Sequence, residues 1–319
     1  MGNRLLVYQA LWAMDRLGAP EASVAEKFDR VREAGFDGMA IDLGALTMEQ
    51  AEATVPHFSR TGLAGGLTAF PTSVEALRPA LRLAHRIAAP FVVVIGQEMP
   101  IRLADMVPVI EGWLRVAEQE SMPIQFETHR NCITNDLFTT AQLLDAVPGM
   151  RLAADLSHYV VDREMPCPPP PYLQNLITKV LDRSDSFQGR VAARGQIQVA
   201  LNFPQNAKWV ALFRGWWRQG FAAWLARHAG ENSAMVFLCE LGPPDYAITD
   251  ARGHELSDRW TEATLLAQWA RETWSDAVSA SRPGVNGGSK RHEDRAGGDQ
   301  DAPQSHLPGQ PLAQEQHRE

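Results

Sequence analysis

Apolar and polar positions along the first 280 residues follow two rhythms that take turns. Short apolar runs of strand length are followed by longer segments whose apolar positions recur every three or four residues. Residues 5–9 read as a strand and 22–34 as a helix, with Val24, Phe28 and Val31 on one face and Gly35 as its stop. The same alternation predicts further strands over 36–42, 63–70, 91–95, 122–129, 150–158, 187–194 and 235–240. Helices are predicted over 48–58, 74–87, 103–120, 137–146, 172–181, 209–228 and from Asp258 to about Trp274. Strands alternating with helices make βαβ units and a parallel sheet. Eight of each in this length fit a closed (β/α)8 TIM barrel better than an open doubly wound sheet.

After about Ala280 the pattern stops. Residues 281–319 are rich in Gly, Pro, Gln and charges and have no apolar period, so burial cannot offset their ordering entropy. The expected organisation is a barrel over 1–280 and a disordered tail over 281–319. No G-x-G-x-x-G follows the first strand, which argues against a dinucleotide site. The glycines at 62, 65 and 66 fall within a predicted strand and are read as close backbone packing.

Charge and cysteines narrow the class. A formal charge of -8 argues against a nucleic-acid partner, since phosphate binding needs a basic footprint. Cys132, Cys167 and Cys239 are odd in number and far apart, which suggests neither a disulfide framework nor a zinc ribbon and fits a cytoplasmic protein. No segment is apolar for long enough to span a membrane, and Met1-Gly2 lacks the Ser or Thr at position 6 of a myristoylation signal. The tryptophans at 209, 216, 217 and 224 spread around one helix and are expected to pack on the barrel or on a second copy of the chain. Homo-oligomerisation therefore stays open.

The chemistry concentrates where apolar runs end in polar residues. Glu127 with His129, Asp155 with His158, Gln188 with Arg190, and Glu240 close four consecutive strands. In a TIM barrel such positions share the C-terminal face, where active sites are built. Three carboxylates and one amide make an oxygen-rich set that suits Mn2+ or Mg2+, with Co2+ or Zn2+ tolerated beside an imidazole. The plainer alternative is that each acid caps the next helix or pairs with Arg130, Arg190 or Arg194. Long loops at the same face, over 166–171, 195–208 and 242–257, are candidates for a pocket wall or lid.

The runs Phe126-Glu-Thr-His-Arg130, Ala154-Asp-Leu-Ser-His158, Gly189-Arg-Val191 and Cys239-Glu-Leu-Gly-Pro243 resemble the xylose isomerase-like superfamily of sugar phosphate isomerases and epimerases. The resemblance extends from the first strand to Trp274. It implies a divalent metal held by Glu127, Asp155, Gln188 and Glu240, with Glu127 and Glu240 as the acid-base pair. It also implies substrate contacts from His129, His158 and Arg190. One position departs from the family's pattern: Gln188 stands where a histidine is common, and an amide oxygen favours hard cations over zinc.

The activity implied is isomerisation or epimerisation of a small sugar, sugar phosphate or related polyhydroxy carbonyl compound through an enediolate. Glu127 and Glu240, coming from distant strands, are expected to leave space for the substrate between them. A dehydratase with the same site is the closest rival. An apurinic endonuclease is disfavoured by the acidic charge, and Gln188 motivates a barrel that only binds a ligand.

Overall fold

The computed structural model describes residues 2–17 and 20–281. Eight parallel strands close into a barrel in chain order. They are β1 (Arg4–Ala10), β2 (Gly38–Asp42), β3 (Ala64–Ala69), β4 (Val92–Val94), β5 (Ile124–Glu127), β6 (Leu152–Ala154), β7 (Ser184–Gly189) and β8 (Ala234–Cys239). Closure is made by β1 and β8, which pair over six residues from Arg4 opposite Ala234 to Gln9 opposite Cys239. The chain is a TIM barrel, as the alternation predicts.

The first helices outside the barrel are α1 (Val24–Glu33), α2 (Met48–Ala53), α3 (Val55–Thr61), α4 (Arg78–Arg86) and α5 (Leu103–Gln119). They are followed by α6 (Leu137–Ala146), α7 (Leu156–Asp162), α8 (Pro171–Leu181), α9 (Ala207–Arg227) and α10 (Arg259–Ser281). The helix expected over 48–58 is two helices, because Pro56 has no N–H for the helical ladder and Thr54 turns its hydroxyl onto the Ala51 carbonyl. The last helix continues past Trp274 to Ser281. Its final turns bury only Thr273 and Ala277, small residues that leave a weak apolar signal. The expected tail falls, apart from Ser281, outside the described residues.

Two strand boundaries differ in a way that matters for chemistry. The sixth strand ends at Ala154, and Asp155 is the N-cap of α7, its side chain accepting from the Ser157 amide. His158 therefore sits in the first turn of a helix and not at a strand end. The seventh strand begins at Ser184 and stops at Gly189. Its polar start disguises it, yet the Ser186 hydroxyl is buried against Gln125 of β5 and the Ser184 hydroxyl bonds the Val180 carbonyl.

Small residues on β2 and β3 make room inside the barrel for the Tyr8 ring. A Cβ on Gly38 would come 2.5 Å from that ring, and one on Gly66 would lie 3.2 Å from it. Gly66 and Gly65, where a Cβ would come 2.3 Å from the Ile87 carbonyl, serve close packing as read from the sequence, whereas Gly62 is not in a strand but is the left-handed C-cap of α3, with open space around it. Outside the strands, Trp216, Trp217 and Trp224 are buried within the chain, with the Trp217 ring 5.1 Å edge-on to Phe237. These tryptophans pack on their own barrel.

Arg259, at the start of α10, ties the ends of the barrel sequence together. Its buried guanidinium donates to the Ala13, Asp15 and Leu241 carbonyls and pairs with Glu255 at 2.6 Å. Arg259→Ala strands three carbonyls and a carboxylate at once. Urea unfolding should show a loss of about 3 to 5 kcal/mol, and a loss below about 1 kcal/mol would mean that these groups find other partners.

Candidate active site and metal centre

The C-terminal ends of the strands bring the sequence-predicted residues together. Glu127 is the last residue of β5, Gln188 the penultimate residue of β7, and Asp155 and Glu240 follow directly on β6 and β8. Close packing sets their approach. A Cβ on Gly189 would come 2.6 Å from the Phe237 ring and 3.1 Å from the Leu238 carbonyl, so only glycine lets β7 bring Arg190 this near to Glu240.

Oxygens of Glu127, Asp155 and Glu240 all lie within 4.8 Å of one another, and all three residues are buried. Gln188 donates its amide nitrogen to Glu127 at 3.1 Å. Arg190, also buried, places Nη2 3.1 Å from Glu240 Oε2 and Nε 3.8 Å from Asp155 Oδ2. His158 Nε2 lies 3.4 Å from the same Asp155 oxygen. The His129 ring, whose Nδ1 meets the Arg130 carbonyl, packs 4.1 Å from that of His158.

Asp155 caps the next helix, as the plainer alternative has it, through one oxygen alone. Oδ1 caps α7 through the Ser157 amide at 2.9 Å, whereas Oδ2 has no hydrogen-bond partner. Gln188 Oε1 is likewise buried without one, and Glu240 Oε2 has only the Arg190 guanidinium at 3.1 Å. Such orphaned acceptors are costly unless a cation or donor meets them. The single guanidinium of Arg190 faces three carboxylates, which leaves an excess of buried negative charge. The donor set therefore fits a hard divalent cation, with the amide nitrogen of Gln188 turned to Glu127 and its oxygen free. Glu127, His129 and His158 form a second group within the same reach, sharing Glu127 with the first.

The electrostatics carry the same imbalance. Burial pushes Glu240 up to about 7 despite Arg190, and burial together with the Glu240 and Asp155 charges holds Glu127 well above the usual carboxylate range. For Asp155 burial is outweighed by Arg190 and His158, which keep it below that range. Burial lowers His129 to about 3 and also lowers His158, against the pull of Asp155. Arg190 is held up by Glu240 and Asp155 against its own burial.

A cavity of about 250 Å3 opens onto Glu240, Arg190 and His129, walled by Trp12, Phe70 and Tyr246. A larger hollow of about 700 Å3, lined by Arg16, Arg30 and Trp260 among others, contains none of the acidic cluster, so the smaller cavity is the candidate site. Its wall is fixed by Gln198 of the 195–208 loop, whose amide both donates to and accepts from the Gly242 backbone. A Cβ on Gly242 would come 2.5 Å from Trp12. Tyr246 is stacked between Arg190 and Arg130, with guanidinium carbons 4.9 and 5.2 Å from its ring.

Two expectations need correction. Glu127 and Glu240 do not stand apart with room between them, because Gln188 and Arg190 draw their carboxylates into one cluster. The site also includes Asp42, which closes β2 and lines the cavity. It carries the same signal as the others, an acid at the end of an apolar run.

No family model and no curated protein matches the chain. Solved structures do. A xylose isomerase-like TIM barrel protein from Mycobacterium smegmatis in complex with magnesium is similar over 84% of this chain and 97% of that one, at 15% identity and a TM-score of 0.53. D-allulose 3-epimerase from Methylomonas sp. in complex with D-allulose covers 86% and 97% at 16% identity and a TM-score of 0.51. An L-ribulose 3-epimerase covers 86% and 96% at 12% identity and a TM-score of 0.52. The chain shares the TIM-barrel fold of these structures. In this barrel the buried acids fall at the strand ends of one face, and no helix among the described residues is long and apolar enough to cross a membrane.

The charge excess predicts a pH dependence. Between about pH 7 and pH 8 the unfolded chain has ionised carboxylates and mostly neutral histidines. In the folded chain Glu240, raised to about 7, gives up its proton across this window and Glu127 is shifted in the same direction, and excess protons in the folded state mean that stability falls as pH rises. Asp155, His129 and His158, all shifted downward, titrate below this window. The melting temperature of chelator-treated protein should therefore fall across it, and Mn2+ should raise that temperature more at the alkaline end. A flat or rising profile without metal would remove the buried charge excess from the account.

Proposed function

We propose that the protein is a divalent-metal-dependent isomerase or epimerase of a small polyhydroxy carbonyl compound, working through an enediolate. The observation that carries the reading is the buried cluster of Glu127, Asp155 and Glu240, with oxygens of Asp155 and Gln188 that lack a hydrogen bond, beside a cavity of sugar size. Its fold neighbours lend support, since one was crystallised with magnesium and another with D-allulose. Glu127, Asp155, Gln188 and Glu240 would hold the ion, Mn2+ or Mg2+ in preference to Co2+ or Zn2+ because every donor is oxygen. Bound there, a divalent cation supplies Lewis-acid polarisation of a carbonyl and its neighbouring hydroxyl, which acidifies the carbon that is to lose its proton.

The chain's own groups move that proton. Glu240 faces the cavity and is the group placed to take a proton from the substrate carbon and give it back. Glu127 is the partner base, lying beneath it with an oxygen no more than 4.8 Å away. Reacting atoms need separations of about 3 to 3.5 Å, so a carbon reached by both carboxylates sits above the pair and off the line that joins them. Proton return on the same face gives isomerisation, and return on the opposite face requires the two carboxylates to spread. Arg190, with one nitrogen unpartnered, and His129 at the cavity wall are placed to hold substrate oxygens, and His158, whose Nε2 faces Asp155, keeps Nδ1 unpartnered beside the His129 ring.

Turnover in D2O should place deuterium on the substrate carbon. Glu127→Gln and Glu240→Gln should each lower turnover by about a hundred-fold or more while retaining most of the metal, whereas Asp155→Ala should lose it. Hydrogen transfer without solvent exchange, or full activity in both glutamine variants, would overturn the proton-transfer mechanism. Release of water from the substrate would assign the site to a dehydratase.

A further inference from the structure

Asp42 has no part in the chemistry above, yet its carboxylate is held with care. It is the last residue of β2 and meets the cavity together with Glu240 and Arg190. The Gly44 amide, at 2.6 Å, holds the carboxylate in a tight turn in which the Ala45 amide bonds the Asp42 carbonyl. A Cβ on Gly44 would lie 2.9 Å from Asp42 Oδ1 and 2.8 Å from the Phe70 ring, so the turn admits only glycine. One amide leaves most of the acceptor positions of the carboxylate available to a ligand.

The surroundings define that ligand's charge. Of the groups lining the cavity, Asp42 and Glu240 are acidic, and Arg190 is the single guanidinium. Arg190 is already engaged by Glu240 and Asp155. A phosphate or carboxylate brought into this space would meet two carboxylates, and the one guanidinium that lines it has only Nη1 not already turned to them. A neutral polyol instead finds acceptors for its hydroxyls and aromatic walls, Trp12, Phe70 and Tyr246, for its C–H faces. The volume of about 250 Å3 lies below that of drug-sized pockets and suits a small sugar.

We propose that Asp42 is a specificity-determining residue that accepts hydrogen bonds from the hydroxyls of an uncharged, unphosphorylated sugar and excludes phosphorylated or carboxylated ones. This rests on the reading of the site as one for a polyhydroxy carbonyl compound and narrows its substrate class. Unreactive polyols test it by binding alone. Calorimetric titrations of xylitol, sorbitol and sorbitol 6-phosphate are to be made on the wild type, Asp42→Asn and Asp42→Glu, with and without Mn2+. Binding of Mn2+ itself is measured in parallel.

The wild type should bind free sorbitol or xylitol at least about ten-fold more tightly than the phosphate ester, as expected of hydrogen bonds to a charged acceptor. Asp42→Asn keeps an oxygen for the Gly44 amide, and it should weaken polyol binding about ten-fold and narrow the gap to the ester. Asp42→Glu keeps the charge but displaces it, so it should lose polyol affinity and still reject the ester. Equal or tighter binding of the phosphate ester by the wild type overturns the proposal, as does unchanged polyol affinity and selectivity in Asp42→Asn. Because selectivity is also read without Mn2+, failure of the ion to bind would count against the metal-dependent reaction and leave the assignment of Asp42 to be decided by the polyols.

Discussion

Three carboxylates share a buried space with one guanidinium, and much of the upper half of the barrel is arranged around that imbalance. In a medium of low polarity an uncompensated carboxylate is expensive, so such a cluster persists only with partners that hold it. Arg190 answers Glu240 and Asp155, Gln188 answers Glu127, and α7 lends its first amides to Asp155. What these partners leave without a hydrogen bond is an oxygen each on Asp155 and Gln188, and Glu240 Oε2 has a single guanidinium that it shares with Asp155. A site whose unsatisfied atoms are all oxygens, close together and carrying excess negative charge, is one that a hard cation completes.

The scaffold serves that cluster through small residues. Glycine at 189 lets Arg190 approach Glu240, and glycine at 242 lets Trp12 and Tyr246 form the wall opposite. Below them, Gly38 and Gly66 admit the Tyr8 ring, which fills the barrel interior beneath the site. The polar residues of β7 that look unsuited to a buried strand are part of the same design. Ser186 bonds Gln125 across the interior, and Gln188 reaches Glu127 above it. Structure below the site and chemistry within it thus share one strand.

The barrel was legible because its strands are apolar runs and its helices carry an apolar stripe, and these two periods do not imitate each other. The four oxygen donors were legible for a related reason, since each interrupts or ends an apolar run. His158 was placed on the wrong element. The segment Leu156-Ser-His-Tyr-Val160 is apolar enough to extend a strand, and only the capping role of Asp155 reveals that a helix begins there. The start of β7 was missed because serines that hydrogen-bond inside a barrel look the same in sequence as serines in a loop. The separation of Glu127 from Glu240 depends on where Gln188 and Arg190 point, a side-chain property that strand order does not carry.

The claim on which the rest depends is that the acidic cluster is a cation site. Anomalous diffraction from crystals equilibrated with Mn2+ at neutral pH tests it without any assumption about substrate. The account predicts one strong anomalous peak within bonding distance of oxygens from Glu127, Asp155, Gln188 and Glu240. Crystals that take up Mn2+ elsewhere, with this cluster closed by Arg190 alone and no anomalous density among its oxygens, would contradict it.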